Sequence, residues 1–262
     1  MTMLMSAVFA QSDCNKDNWR EYYNSEGRDM TDCDLEGANL SYAKFPGANL
    51  TNAILEGANL EHADFSKANL EGANLEGANL EGARFYRADL SGANLRKADL
   101  EAASFTMANL EGASFYRAFL QRAYLRQANF EGADLESADF RKANFEGANL
   151  EGVDFNKAIL EEADFERANL RDAILEGVDL ERASLLRANL EGANLRWAKF
   201  PGANLRDAIL EGANLERANL ERANLTNAIL EGVRSSRIRG KPASLPKGWS
   251  LVDGRLIKKD GE

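Results

Sequence analysis

His62 is the sole histidine of the 262 residues, and Cys14 and Cys33 are the sole cysteines. A general base, a thiolate nucleophile or a zinc centre would have to be built from these three side chains. They fall short of the four nitrogen or sulfur ligands of a structural zinc site. Hydroxyls such as Ser104, Ser114 and Ser184 are available, but none has a base in register with it, and an acyl-transfer serine needs one within hydrogen-bond reach. Carboxylates recur in columns, Glu111, Glu131 and Glu151, then Glu191, Glu211 and Glu231. Such columns read either as a weak divalent-cation face or as a solvated, solubilising one, and stacked like charges are expected to raise one another's pKa. The sequence therefore predicts no enzyme: no catalytic residue, no cofactor-binding residue, no cofactor and no metal site.

Composition narrows the classes further. The chain carries 32 Lys+Arg against 42 Asp+Glu, a formal charge of −10. That argues against direct nucleic-acid binding, whose footprint is a basic face. No apolar stretch reaches the length of a membrane-spanning helix. A hydrophobic fraction of 44% argues against disorder.

What would position any site is a repeat. From Leu35 to Leu230 every fifth residue is Leu or Phe, 29 of the first and 11 of the second. Two residues before each stands Ala, except at Cys33, Val153 and Val178. The residue between is usually Asn or Asp, as in Ala38-Asn39-Leu40. Residues 33–232 thus read as forty units of the form A(N/D)LXX. Ala and Leu, two apart, face inward from a very short strand, and the other two residues turn the chain.

Four units make one coil. Sorted by a period of twenty, one column reads Phe45, Phe65, Phe85, Phe105, Leu125, Phe145 and Phe165. Another gathers glycines at the second turn position, Gly72, Gly92, Gly112, Gly132 and Gly152 among them, beside a run of Asn at 49, 69, 109, 129, 149, 169 and 189. Stacked rings, type II turns and amide ladders are the physical reasons for such columns. The Gly-rich corner is expected to hold type II turns. A different turn is expected after the Phe column, where Lys67, Arg87, Met107 and Arg167 replace Gly.

These units resemble the pentapeptide-repeat family over 200 of the 262 residues. The resemblance implies an all-β fold, a right-handed quadrilateral parallel β-helix. Forty units give about ten 20-residue coils, a rod roughly 48 Å long at about 4.8 Å per coil. Residues 1–10 read as a truncated signal segment or as a cytoplasmic N-terminus, because Val8-Phe9-Ala10 resembles a cleavage site but lacks a basic region before it. The signal-like reading favours an extracytoplasmic protein over a cytoplasmic one. Residues 11–32 form an N-terminal cap, with Trp19, Tyr22 and Tyr23 spaced for one face of a short helix. Residues 233–262 form a C-terminal cap and tail, with Asp253-Gly254 as the turn of a hairpin. Cys14 and Cys33 flank the helix and read as a disulfide in an oxidising compartment or as two free thiols.

Departures from the repeat mark one coil. Tyr116, Phe119 and Tyr124 stand where Asn, Asp or Glu is usual, accompanied by Arg117, Arg122 and Arg126. Aromatic residues with Arg are the composition of interface hot spots, so these six are the candidate partner-binding residues. Charge is uneven as well: residues 131–181 hold five Lys/Arg and fifteen Asp/Glu, a net of −10. Two readings follow. One is a scaffold or protein-binding rod, monomeric or an end-to-end dimer, with a protein partner. The other is a DNA mimic, since the resemblance extends to quinolone-resistance members that imitate duplex DNA and occupy a type II topoisomerase.

Overall fold

The computed structural model describes residues 13–259. Between residues 33 and 232 the chain never deviates from five-residue units: one extended residue bonded to neighbouring coils, its two flanking residues, and a two-residue turn. Outward residues pair in parallel with those twenty positions on, Arg84 with Ser104 and Asn109 with Asn129, for example. Twenty residues therefore close one coil, with four sides. Face 1 presents the column beginning at Asp34, face 2 that of Asn39, face 3 that of Lys44, and face 4 that of Asn49.

One unit shows how the sequence enforces this. In Ala83-Arg84-Phe85-Tyr86-Arg87, Ala83 and Phe85 are wholly buried and Arg84 points out. The Arg84 amide donates to the Ala63 carbonyl of the coil before (2.9 Å), and the Phe85 amide to Ser104 of the coil after (2.6 Å). Arg87 donates onward to Thr106 (3.1 Å), and Ala88 closes the turn on Phe85 (3.0 Å). That leaves the amide of the first turn residue. Where Asn or Asp occupies the outward position, its side chain accepts from this amide two residues on: Asp34 from Glu36 (3.1 Å), Asn144 from Glu146 (2.9 Å). This Asx arrangement satisfies the fifth amide, and it is a stronger local reason for Asn/Asp than stacking alone. Stacking is present too: on face 4 the Asn149 side chain donates to Asn129 (2.9 Å) and Asn169 to Asn149 (3.1 Å).

The Phe column forms a ring ladder. Phe65 and Phe85 have centroids 5.1 Å apart and Phe85 and Phe105 4.6 Å, each pair within 4° of parallel. Leu125 interrupts it, and the rings detour through Phe115 and Phe130 to Phe145, with centroids 5.8–6.0 Å apart.

The expectation of a different turn after this column is overturned. Lys67, Arg87, Met107 and Arg167 have φ of 61°, 55°, 60° and 57°, the same left-handed region as Gly72 and Gly92 at 65°. All forty second turn residues lie there, twenty-four of them not glycine. A left-handed residue with a Cβ costs roughly 1–2 kcal/mol. The coil tolerates it because the amide of that residue must reach the next coil, and one turn geometry repeated keeps every coil in step. At Gly72 and Gly192, on the corner between faces 4 and 1, glycine also has a local steric reason, whereas a Cβ on Gly92, Gly112, Gly152 or Gly212 would meet nothing within 4 Å. A Cβ on Gly72 would come 2.6 Å from the Asn52 amide oxygen, which leans over it from the previous coil.

Helix α1 (Trp19–Tyr23) lies over the first ring of the ladder. Trp19 and Phe45 centroids are 5.0 Å apart, and Tyr23 meets Phe45 edge-on at 5.9 Å. The structure bonds Cys14 to Cys33, with Cα atoms 4.7 Å apart, on either side of α1. At the other end β1 (Trp249–Val252) and β2 (Arg255–Lys258) pair antiparallel, Val252 opposite Arg255. The turn residues Asp253 and Gly254 both have positive φ, 46° and 71°, as a two-residue hairpin requires. Leu256 is buried and Ile238 donates to the Gly254 carbonyl (3.0 Å), which ties the hairpin to the last coil. Residues 1–10, read as a signal segment, lie outside the described residues, as do 260–262.

Candidate binding surface

The six aromatic and Arg residues occupy one coil but not one plane. Phe119 stands on face 2 and Tyr124 on face 3, 50% and 53% exposed. Tyr116 and Arg117 sit at the corner between faces 1 and 2, Arg122 at the corner between faces 2 and 3, and Arg126 one corner further. The arginines are engaged within the rod. Arg117 lies over the Tyr116 ring at 5.1 Å, and Arg96 covers the same ring at 4.6 Å. Arg122 reaches Glu101 (3.4 Å) and Arg126 reaches Glu146 (3.2 Å), each one coil away. Exposed pairs of this kind contribute little to stability, at most about 1 kcal/mol. Phe119 and Tyr124 stand as the exposed aromatic side chains on the faces of this coil. The depression beside them is lined by Glu101, Gln121, Arg122, Arg141, Lys142, Glu161 and Glu162, charged of both signs apart from Gln121.

One residue of this region gave no distinguishing signal in the sequence. Asp139, next after Phe119 on face 2, is 7% exposed, the single buried charged side chain among the described residues. Arg141 chelates it, with Nε 3.0 Å and Nη2 2.5 Å from Oδ2. Gln121 donates to the same oxygen at 2.7 Å. Burial pushes the Asp139 carboxyl up, but hydrogen bonds from the Arg141 side chain and backbone and from Gln121 outweigh it and leave the pKa below the ordinary aspartate value. A depressed folded pKa means stability present above the unfolded value near 4 and lost as pH falls through the folded one. Asp139→Asn is expected to cost about 1–2 kcal/mol at neutral pH, and the gap to the parent protein should close in acid. Denaturant unfolding of both proteins at pH 7 and below pH 3 checks this; a gap that persists in acid overturns it.

The other chemical candidates are dispersed. His62 is exposed at the corner between faces 2 and 3, its ring 5.1 Å from Tyr42. Ser114 donates to Asp134 (3.1 Å), and the Ser104 hydroxyl lies 3.4 Å from Thr106. No hydroxyl–base pair forms at His62 among the described residues. The stacked carboxylates do not behave as the sequence suggested at Glu231: a hydrogen bond from Lys258 (2.9 Å) lowers its pKa rather than raising it. Among the described residues no three His, Cys, Asp or Glu side chains are grouped to hold a metal ion. No described helix is long and apolar enough to cross a membrane.

A sequence profile described as pentapeptide repeats matches in eight copies, the first at residues 29–66 and the last at 198–234. The chain belongs to the pentapeptide-repeat family. Its four-sided coil is the right-handed quadrilateral β-helix of that family. Among solved structures it is similar to HetL, a pentapeptide repeat protein involved in heterocyst differentiation regulation in the cyanobacterium Nostoc sp. strain PCC 7120. The two are 34% identical over 82% of this chain and 92% of HetL, with a TM-score of 0.46. It is also similar to a pentapeptide repeat protein of the Arabidopsis thaliana thylakoid lumen, 35% identical over 40% of this chain and 66% of that one, TM-score 0.29. QnrB1, a plasmid-mediated fluoroquinolone resistance protein, is 23% identical over 62% of this chain and 86% of its own, TM-score 0.34. A search of curated proteins gives no match.

Proposed function

We propose that this pentapeptide-repeat protein is a non-catalytic, protein-binding rod. The observation that carries the reading is the pair Phe119 and Tyr124, half-exposed aromatics projecting from adjacent faces of one coil. Desolvated aromatic anchors of this kind typically supply 2 kcal/mol or more at a protein interface, whereas the flat ladders of Asn and Asp contribute complementarity. No loop interrupts the coils between residues 33 and 232 to build a pocket, so recognition falls to the faces. Export is part of the reading. It is supported by the Cys14–Cys33 pairing, which belongs to an oxidising compartment. The test is capture of a partner from native extract by the parent protein and by Tyr124→Asn and Phe119→Asn. Loss of a captured protein by either variant is expected; equal capture by all three ends the reading.

The second reading is DNA mimicry toward a type II topoisomerase. The acidic stretch 131–181 favours it. Residues 182–259 oppose it, with fifteen Lys/Arg against seven Asp/Glu, a net of +8 at one end of the rod. A supercoiling assay with purified protein separates the two readings.

A further inference from the structure

Charge on face 2 is sorted by end once the ion pairs within the rod are set aside. Glu36, Glu56 and Glu61 line its corners in the first coils, and none of them meets a Lys or Arg among the described residues. Glu56 accepts from Asn74 and Glu61 approaches only His62. Arg217, Arg222, Arg237 and Arg239 line the last coils, and none of them meets a carboxylate among the described residues. Arg217 and Arg239 lie instead over the Trp197 ring, at 4.4 and 5.8 Å. The outward column of this face runs from Asn39 to Arg239 in eleven rungs, and Asp139 is the sixth. Phe119 and Ile159, 50% and 37% exposed, stand one rung to either side of it.

We propose that face 2 is the contact surface of an antiparallel, two-fold symmetric dimer with a second copy of this chain. The axis passes through the rung of Asp139, perpendicular to the rod. Such an axis keeps each corner against its own equivalent and sets the first rung against the eleventh, the second against the tenth. Glu36 then comes opposite Arg237 and Arg239. Glu56 comes opposite Arg217 along one corner, and Glu61 opposite Arg222 along the other. Phe119 meets Ile159 on both sides of the axis, and the Asp139–Arg141 pair lies at the centre, already neutralised within each copy. Like charges also come opposite one another: Asp99 meets Asp179, Glu61 meets Glu221, Arg117 meets Lys157, and Glu136 and Lys142 each meet their own equivalent. Of these Asp179, Lys157, Glu136 and Lys142 are already paired within their own copy, with Lys199 (3.1 Å), Glu136 (2.8 Å), Lys157 and Glu162 (3.5 Å) respectively.

Other arrangements fit less well. Two rods packed parallel in register would set carboxylates on carboxylates and guanidiniums on guanidiniums. Face 1 would bring Glu131 and Asp134, neither of them paired with a Lys or Arg among the described residues, onto themselves at its midpoint. Face 4 presents mostly Asn. The area is adequate: a face roughly 48 Å by 12 Å buries about 600 Å² per copy, which brings the pair to the lower bound of stable interfaces at about 1,200 Å². An isologous contact of this kind closes on two copies and leaves faces 3 and 4, with Tyr124, open.

The proposal goes beyond protein binding in general and is tested on the purified full chain alone, so its failure leaves the binding reading untouched. Light scattering after gel filtration should give twice the chain mass of 28.8 kDa across the micromolar range. Two triple variants, Glu36→Arg/Glu56→Arg/Glu61→Arg and Arg217→Glu/Arg237→Glu/Arg239→Glu, should each dissociate at least about tenfold more readily. Mixed in equal amounts they should recover the dimer, because reversed ends then meet their complements. That recovery also shows that both variants fold. A monomeric parent protein, a mass that grows with concentration as in an open filament, or a mixture that stays monomeric overturns the proposal.

Discussion

Phe85→Ala will destabilise the rod by about 4 kcal/mol, within the range for a buried phenylalanine. Phe85 is fully buried and stacked on both sides, 5.1 Å from Phe65 and 4.6 Å from Phe105. The cost of such a truncation depends on how far the surroundings collapse into the space. Here they can hardly move, because the backbone beside the ring is bonded in both directions, Arg84 to Ala63 and Phe85 to Ser104. The column itself supplies the control. Leu occupies the same position at 125, 185, 205 and 225, so Phe85→Leu should cost less than about 1.5 kcal/mol. Because each coil touches only its neighbours, the loss should be local at first, with faster amide exchange in the coils of Phe65, Phe85 and Phe105 before the ends. Denaturant unfolding with hydrogen exchange reads both effects. An Ala variant within about 1 kcal/mol of the Leu variant means that the rings do not share a stack.

The coil was legible in the sequence because its inward residues obey two periods at once, five for Leu or Phe and twenty for the Phe column. The bridges twenty residues apart and the parallel Phe65–Phe85 rings follow directly. The turns are set by the backbone rather than by residue type. Gly signals a positive φ, but Lys67 and Arg87 adopt it as well, since the bond to the next coil outweighs the cost of a Cβ. Amide ladders account for the Asn columns, while the more general service of Asn and Asp alike is the Asx bond that any single unit makes alone. At the candidate surface the aromatics were visible as departures from pattern. The employment of Arg122 and Arg126 was not, because their partners Glu101 and Glu146 lie one coil away. Asp139 looked like any other outward Asp; its burial comes from Phe119 and Ile159 above and below it and from Arg141 folding back two residues on.

Cys33→Ala should reduce stability by about 3 kcal/mol although it installs the residue the repeat favours at that position. Cys33 sits in the inward Ala slot, fully buried, so Ala keeps the coil and the substitution isolates the cross-link. The bond to Cys14 closes a loop with a sequence separation of 19, and the chain-entropy estimate for about twenty residues gives that figure. The loop contains α1, whose Trp19 and Tyr23 cover Phe45 at the open end of the ladder. Without the cross-link this short helix holds on through those rings and a few backbone bonds, and five residues are too few to be helical on their own. Unfolding should therefore start from this end, with residues 14–35 losing exchange protection first. The melting temperature should fall by roughly 6–12 °C, both for Cys33→Ala and for the parent protein in reductant. Identical melting with and without reductant, together with two titratable thiols in the untreated protein, would show that the bond is not formed and would remove the support it lends to export.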